Sequence, residues 1–410
     1  MGGGLLQLVA YGAQDVYLTG NPQITFFKVV YRRHTNFAIE AIQQTFNGNP
    51  NYGQRVTCQI SRNGDLIHRM YLVVDLSSNN TLLCPYFGLR LIDYVEIEIG
   101  GQKIDKHFSH WMYIWNELSL PVSKRYGYNE MVGAAGGKLK NTLYIPLEFW
   151  FCRNVGLALP LIALQYHEVK INLQFETGDN CKDVSETTPT GGFSASIWVD
   201  YIFLDTDERR RFAQLSHEYL IEQLQFTGAE SVGTQTSLKP KLSFNHPCKE
   251  LIWVVNPSIN NLNWFNYTVD TEAITTVPVL TSDMAKLKNN GAVSNNPVKN
   301  AKLVLNGNDR FSQRNGSYFN LVQPFQHHEN IPSNAGINVY SFALKPEEHQ
   351  PSGTLNMSRI DSAVLNLTMT DNDTYKTDVI TTSKGQLYVY AVNYNVLRIL
   401  SGMGGLAYSN

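Results

Sequence analysis

Charged residues are scarce in this sequence of 410 residues. They make up 17% of it, and the formal net charge is −2, whereas an average soluble domain is roughly 25% charged. Binding to a nucleic-acid backbone requires clustered lysine and arginine, and the basic runs are short, as in Arg32-Arg33 and Arg209-Arg210-Arg211. Solvated faces or contacts between subunits explain these runs better, so the composition argues against direct binding of nucleic acid.

Cysteine pairs are missing as well. The sequence has five cysteines, an odd number, with no C-x-x-C pair and no spacing typical of a secreted disulfide scaffold. This pattern predicts reduced and mostly buried thiols. The five residues are Cys58, Cys84, Cys152, Cys181 and Cys248.

Long hydrophobic runs are also absent. A membrane-spanning helix needs about 20 consecutive apolar residues, and the longest apolar run, Val155 to Leu164, is interrupted by Pro160. The N-terminal stretch Leu5 to Ala10 has no basic region before it and is shorter than a signal-peptide core. We therefore expect a soluble chain that does not enter the secretory route.

Common catalytic signatures do not occur in the sequence. It contains neither a Gly-x-Ser-x-Gly elbow nor a Gly-x-x-x-x-Gly-Lys phosphate loop. His107 and His110 could present two imidazoles on one face, but a metal site needs a third ligand. The metal-dependent cupins, which are also double β-domains, place two histidines one residue apart, and no His-x-His occurs here. We predict a protein that is not an enzyme and that has no catalytic residue, metal or cofactor, with a cupin-like metalloenzyme as a distant alternative.

Apolar and aromatic residues are abundant instead. They reach 43% of the sequence, with 22 Tyr and 19 Phe, and β-branched and aromatic side chains suit the half-buried surface of a sheet. The composition therefore favours an all-β protein. Candidate strands separated by Gly, Asn, Pro and Ser turns lie at residues 38–46, 55–61, 66–76, 91–99, 142–149, 168–175, 196–204, 219–227, 239–245, 250–255, 301–306, 338–344, 362–370 and 386–400.

The strand-like segments occur twice in the same order, which predicts two copies of one β-domain. Matching segments lie 182, 206, 194 and 190 positions apart, so the connections differ in length while the order is kept. The turn glycine Gly101 corresponds to Gly307. The pairs are Ile39 to Gln43 with Ile221 to Gln225, Val95 to Gln102 with Ala301 to Asn308, Val169 to Leu173 with Ala363 to Leu367, and Ile197 to Ile202 with Leu387 to Val392.

The repeat defines three expected regions: an N-terminal arm at 1–36, a first domain at 37–210 and a second domain at 211–410. Apolar residues at helical spacing predict a short amphipathic helix within 106–132. Carboxylates precede cations between 205 and 211, an order that complements a helix dipole, so we also predict a short linking helix capped by Asp205 or Thr206.

The arm carries conspicuous aromatic residues that lie outside both repeats. Because nothing in the repeat pattern accounts for them, we predict that they contact neighbouring subunits or the inner face of an assembly. These candidate contact residues are Tyr11, Tyr17, Phe26 and Phe27.

Two long polar loops interrupt the second half, at 257–300 and 371–385, and their Asn, Thr, Ser and Asp content predicts exposed excursions. Six Asn-x-Ser/Thr triplets occur in the chain. Asn266 and Asn372 fall in these loops and are the glycosylation candidates. The other triplets begin at Asn79, Asn315, Asn356 and Asn366.

Long motifs extend across nearly the whole chain. The opening motif, Leu8 to Phe27, reads LVAYGAQDVYLTGNPQITFF and is followed by Val30-Tyr31-Arg32-Arg33. The remaining motifs are Gln59 to Ile67, Leu157 to Val169, Val199 to Asp205, Gly316 to Asn320, Gln350 to Thr354 and Asn393 to Ile399. Together these motifs closely resemble the major capsid proteins of nucleocytoplasmic large DNA viruses, and most of all those of viruses that infect green algae of the chlorella type.

The resemblance implies a double jelly roll, that is, two consecutive eight-stranded antiparallel β-sandwiches with short helices in the connections. It also implies a homotrimer of pseudo-hexagonal outline that tiles an icosahedral shell, with neighbouring capsomers and minor capsid proteins as partners. Relatives coat an internal membrane, assemble in the host cytoplasm and are often glycoproteins. Two alternatives stay open: a capsid paralogue used at special positions of the shell, and a glycan-binding surface module, since jelly rolls also serve as lectins.

Overall fold

The computed structural model describes the whole chain except residues 1–2, 11, 78–81, 138, 140–141, 184–190, 233–234, 257–263, 269–295, 371–384 and 409–410. The chain divides into two compact units, Met1–Asn36 and Phe37–Asn410. The first unit contains two short helices, α1 at Gly3–Val9 and α2 at Val16–Thr19.

The first half of the larger unit forms two antiparallel sheets. One has the strand order β1-β9-β3-β6, with β7 beside β3, and the other has the order β2-β8-β4-β5. The strands are β1 Phe37–Gln44, β2 Arg55–Gln59, β3 Leu66–Leu76, β4 Ile92–Ile99, β5 Gln102–Phe108, β6 Thr142–Leu147, β7 Leu159–Pro160, β8 Val169–Phe175 and β9 Phe193–Leu204. The helices are α3 Phe87–Arg90, α4 Ser109–Ser119, α5 Val122–Val132, α6 Trp150–Arg153 and α7 Gly178–Cys181, with 3-10 turns at Val155–Leu157 and Leu161–Ala163.

The second half repeats this arrangement after a linking helix, α8, at Thr206–Gln214. Its sheets have the orders β10-β21-β14-β18 and β12-β20-β15-β16, with five short strands at their margins. The strands are β10 His217–Phe226, β11 Glu230–Ser231, β12 Ser237–Leu238, β13 Lys241–Leu242, β14 Pro247–Asn256, β15 Val298–Leu305, β16 Asn308–Asp309, β17 Arg314–Asn315, β18 Asn338–Ser341, β19 Leu355–Asn356, β20 Ala363–Met369, β21 Gln386–Leu400 and β22 Met403–Leu406. A π-helical turn at Tyr318–Val322 leads into α9 at Gln323–His327, and a 3-10 turn lies at Met357–Arg359.

The two halves match strand for strand, which confirms the predicted repeat and the double jelly roll. In each half the first long strand pairs with the last, as β1 does with β9 and β10 with β21. The corresponding hairpins β4-β5 and β15-β16 both turn through two residues of positive φ. These residues are Gly100 and Gly101 (57° and 85°) and Asn306 and Gly307 (49° and 81°), as a type I′ turn requires. The glycine correspondence seen in the sequence therefore marks equivalent turns.

Each sandwich encloses an apolar core, and one sheet is buried on both faces. In β14 the residues Cys248 to Asn256 are all buried. Side chains alternate between the faces of a strand, so Trp253 points into the second core, whereas Ile252 and Val254 join the cluster that contains the first core. The sheet β10-β21-β14-β18 thus seals its own sandwich with one face and packs against the first half with the other.

The predicted strands are confirmed to within a few residues, and the linking helix is confirmed with its cap, since Asp205 Oδ1 accepts the N–H of Thr206 at 2.7 Å. The amphipathic segment forms two helices, α4 and α5, where one was predicted. Strand β5 was missed, because its sequence QKIDKHF contains few apolar residues and overlaps the segment predicted to be helical. Among the described residues, no helix has the length and apolar character needed to cross a membrane.

Candidate interaction surfaces

An aromatic interface joins the two sandwiches. The outer face of the sheet β10-β21-β14-β18 lies against helix α4 of the first half. Trp111 contacts Tyr390 with ring centroids 5.5 Å apart, and His110 lies 4.4 Å from Tyr388. All four side chains are buried. Large buried aromatic rings contribute strongly to packing energy, so this interface holds the two sandwiches together as one body.

Polar contacts fix the register of that interface. Asp105 on β5 accepts the backbone N–H of Leu224 at 3.0 Å and pairs with His107 Nε2 at 2.9 Å. At the end of α4, Glu117 Oε2 accepts the Oγ–H of Ser333 at 2.7 Å and its backbone N–H at 3.1 Å. Buried polar groups are costly unless they are paired, so these contacts favour one relative placement of the two halves.

A buried carboxylate, Glu222, bridges the halves through charge. It lies 2.7 Å from Lys249 Nζ, 3.1 Å from an Arg153 guanidinium nitrogen and 3.5 Å from His349 Nδ1. Arg153 belongs to the first half, and the other three residues to the second. Burial alone raises the pKa of Glu222, but the neighbouring His349, Lys249 and Arg153 outweigh it and lower the pKa to about 2. The Glu222 carboxylate is therefore a buried anion at neutral pH.

A second buried ion cluster surrounds His328. Its Nε2 lies 2.9 Å from Glu250 Oε2, and its Nδ1 lies 2.8 Å from Glu347 Oε1. The side chains of His328 and Glu250 are fully buried. Burial lowers the pKa of His328, but the two carboxylates outweigh it and raise the pKa to about 9. The imidazole is therefore a cation at neutral pH.

We expect the stability of the folded chain to fall as the pH rises from about 6.5 to about 9. The pKa of His328 is 6.5 in an unfolded chain and about 9 in the folded one, so the folded chain binds this proton more tightly. The stabilisation is complete below pH 6.5 and is lost as the pH rises through about 9, and it amounts to about 3 kcal/mol. Urea midpoints across this pH range measure it.

The control is a pair of adjacent substitutions. His328→Gln should remove the decline, whereas His327→Gln should keep it, because His327 Nδ1 contacts only the Leu344 carbonyl oxygen, at 2.9 Å, among the contacts described. An equal decline in His328→Gln and in the unmodified protein would contradict the assignment.

The cleft beside Glu222 has a volume of about 390 Å³ and lies where the halves meet. Its charged and polar lining includes Arg69, Arg153, Glu222, Glu347 and His349. Glu222 is neutralised within the chain by its ion pairs, and Glu347 by His328. Both carboxylates of the lining are thus paired within the chain.

The histidines considered as metal ligands have packing roles. The His107 ring stacks on Phe149 at 4.8 Å, while His110 Nδ1 lies 2.8 Å from the Tyr267 hydroxyl. Burial, together with the nearby Arg90, lowers the pKa of His110 to about 3, so the ring is neutral. Within the described part of the chain, no group of three or more His, Cys, Asp or Glu side chains could hold a metal ion.

The arm candidates are exposed where the structure describes them. Tyr17, Phe26 and Phe27 expose 91%, 89% and 97% of their surface, and Tyr11 lies outside the described residues. Exposed large apolar side chains in sequence proximity are typical of interaction sites. Their contact role stays a prediction.

The two glycosylation candidates differ. Asn266 is 4% exposed, and its Oδ1 accepts the backbone N–H of Thr268 at 2.9 Å. This burial disfavours Asn266 as an acceptor. Asn372 lies outside the described residues, and glycosylation of either asparagine stays a prediction.

Sequence reasoning missed the residues that join the halves. Glu222 lies inside a repeat segment that was used only for its apolar alternation. One signal was available in the sequence: the charged pair Lys249-Glu250 stands at the start of the most apolar strand of the second half. Buried charges require partners, so this pair indicates that other charged residues lie nearby. The identity of those partners depends on the fold.

Comparison with known proteins gives a consistent result over the full length. Residues 25–205 match the family model described as major capsid protein N-terminus, and residues 208–405 match that described as large eukaryotic DNA virus major capsid protein. The chain is 54% identical over 443 residues to the major capsid protein of Pyramimonas orientalis virus and 48% identical over 456 residues to that of Paramecium bursaria Chlorella virus 1, with 100% of both chains covered in each case.

Solved structures agree. VP54 of PBCV-1 is 43% identical, with a TM-score of 0.81 over 94% of this chain and 100% of that one, and the same values hold for the quasi-atomic model of the PBCV-1 virus capsid. The Faustovirus major capsid protein is 14% identical, with a TM-score of 0.72 over 95% of this chain and 94% of that one. At that identity the likeness shows the fold alone.

Proposed function

The chain belongs to the family of major capsid proteins of large eukaryotic DNA viruses, and on that premise we propose that three copies of it associate into a capsomer of pseudo-hexagonal outline. The protein is a structural component of the virion capsid and has the double jelly-roll fold of its relatives. Those relatives are capsid structural proteins rather than enzymes. Capsid shells form by self-association, so copies of this chain contact one another and neighbouring capsomers.

The observation that carries the proposed trimer is the joined pair of equivalent sandwiches. We assign residues 37–210 and 211–410 to the two sandwich domains and residues 1–36 to an arm. Because the two sandwiches share one strand order, three copies present six similar lateral faces. A closed ring of three identical subunits is a common symmetric assembly, and a six-sided tile covers a flat facet without gaps.

The setting proposed for this capsomer is the one that the resemblance to its family implies, and composition and cysteine chemistry are compatible with it. All five cysteines are free and buried, which suits assembly in the reducing host cytoplasm. With a net charge of −2, the chain has little capacity to neutralise phosphates, which suits a shell over an internal membrane without direct contact to nucleic acid. Minor capsid proteins are the further partners, and the outward loops are the proposed glycan carriers.

Native mass spectrometry together with negative-stain imaging tests the trimer. We expect a particle with three times the mass of one chain and a six-sided outline. A stable monomer without that outline would contradict the capsomer proposal.

Deleting residues 1–25 is expected to impair assembly of capsomers into shells more than it impairs folding. This deletion removes Tyr11 and Tyr17, and the substitutions Phe26→Ser and Phe27→Ser in an intact arm give a matched second variant. Removing aromatic anchors should weaken assembly by about tenfold or more, since each costs above about 1.4 kcal/mol. Light scattering measures assembly, and the thermal midpoint monitors folding. Unchanged assembly in both variants refutes the role of the arm.

A further inference from the structure

The outer face of the sheet β1-β9-β3-β6 carries a row of aromatic side chains among polar residues such as Ser196 and Asp200. Residues directly opposite in neighbouring strands share a face. Tyr71 lies opposite both Trp198 and Pro146, and Val73 lies opposite Tyr144. The Tyr71 and Tyr144 rings are 6.2 Å apart. Antiparallel sheets with one solvated face usually carry polar residues there, so this row is unusual for a surface in contact with water.

The row continues to the edge of the sheet and is incompletely covered within one chain. On β1, Ile39 and Ala41 lie opposite Ile202 and Asp200, which are on the same face of β9 as Trp198. Both β1 side chains therefore project from this face, and both are exposed. Tyr144 is 43% exposed. Tyr71 and Trp198 are half-buried.

The equivalent face of the second sandwich is fully covered. There Val254 lies opposite Tyr388, and Ile252 lies opposite Tyr390 and Val339. All five side chains are buried. Their cover comes from α4 of the first sandwich, through Trp111 and His110. One chain thus contains one completed interface of this kind, and it leaves a second aromatic face incompletely covered.

The cover is supplied by a defined connection. Helix α4 follows β5, in the connection that leads to the edge strand β6. In the second sandwich the same position, between β17 and β18, holds the π-helical turn and α9. This segment, residues 318–331, exposes apolar side chains: Phe325 is 75% exposed, with Val322 and Ile331 also exposed. One chain therefore exposes apolar side chains on this covering segment and leaves an aromatic face of its other sandwich incompletely covered.

We propose that residues 318–331 of one copy pack on the outer face of the sheet β1-β9-β3-β6 of the next copy, with Phe325 seated against Tyr71, Tyr144 and Trp198. This inference rests on the proposed trimer. The contact repeats between chains the interface that already exists within each chain. It is heterologous, and such head-to-tail contacts close into a ring when the rotation permits. A ring of three chains then has six equivalent contacts, three within chains and three between chains, in alternation.

Phe325→Ser tests the anchor. Buried aromatic residues dominate binding at interfaces, and removing one hot spot weakens binding by about thirtyfold or more. Mass photometry across a dilution series should show the trimer dissociating at correspondingly higher concentration. Tyr126→Ser is the matched control, since Tyr126 is also an exposed aromatic residue on a helix between equivalent strands of the first sandwich. It should leave the trimer intact, and both variants should keep the thermal midpoint of the folded chain.

Chemical cross-linking tests the placement independently. The five native cysteines are buried, so substituted cysteines are the accessible thiols. In the double variant Val322→Cys with Ala41→Cys, which keeps the aromatic anchors and places both thiols at exposed positions, a short bismaleimide should link chains into covalent dimers and trimers. Either single variant places its thiols away from each other around the ring and should stay monomeric on a denaturing gel.

The outcomes separate this inference from the proposed trimer. If the unmodified protein is monomeric, the trimer proposal fails. If it is trimeric but Phe325→Ser dissociates no more readily than Tyr126→Ser, or the double variant yields no covalent ladder, the trimer stands and this interface is overturned.

Discussion

Replacing Glu222 by glutamine is expected to destabilise the folded chain by about 3 kcal/mol or more. The substitution keeps the size of the side chain and removes its charge. Lys249, whose Nζ lies 2.7 Å away, is buried and would lose its charged partner. The remaining cation, Arg153, adds positive charge rather than compensates for it. An unpaired buried cation is costly, because the interior replaces little of its hydration energy.

Urea unfolding followed by tryptophan fluorescence measures this loss. Glu218→Gln is the matched control on the same strand, since the Glu218–Arg398 pair is exposed, with 60% and 56% of the side chains accessible. Exposed pairs contribute at most about 1 kcal/mol. Equal urea midpoints for the two variants would contradict the structural role of Glu222.

A double substitution separates charge from shape. Glu222→Gln with Lys249→Met removes both members of the ion pair, and an apolar pair of similar volume is often as stable as the ionic one. We expect the double variant to recover most of the stability lost in Glu222→Gln. If the two effects simply add, the pair is not coupled.

Replacing Trp111 by alanine is expected to cost about 3–5 kcal/mol, the usual range for truncating a buried indole. The ring is buried and lies 5.7 Å from Trp115 and 5.5 Å from Tyr390. The substitution leaves a cavity between α4 and the sheet of the second sandwich. Because the cavity lies between the sandwiches, we also expect them to unfold less cooperatively.

Differential scanning calorimetry measures both effects, as a lower midpoint and as a broadened or split transition. Tyr126→Ala truncates an aromatic residue on the next helix that is 66% exposed, and it should change the midpoint little. A Trp111→Ala protein with one sharp transition at the original midpoint would show that the interface is not held by this residue.

The strands were predictable because their signal is local. In β20 and β15, apolar residues alternate with polar ones, and the turn at Asn306-Gly307 has the residues that positive φ favours. Strand β5 was not predictable in this way, because it forms by pairing with β4 and its own composition does not favour a strand. In β14 the alternation is hidden, because both faces of its sheet are buried.

The order of the strands, the duplication and, through the long motifs, the capsid family can all be read from the amino-acid sequence. Each depends on residues that are neighbours in the chain, so local chemistry is sufficient to specify it. Which faces meet is visible only in the folded chain. Glu222 finds Arg153 across 69 positions and Lys249 across 27, and α4 covers a sheet of the other sandwich. Such contacts depend on how the two sandwiches pack, and a one-dimensional pattern does not encode which aromatic face is covered and which is left for another chain.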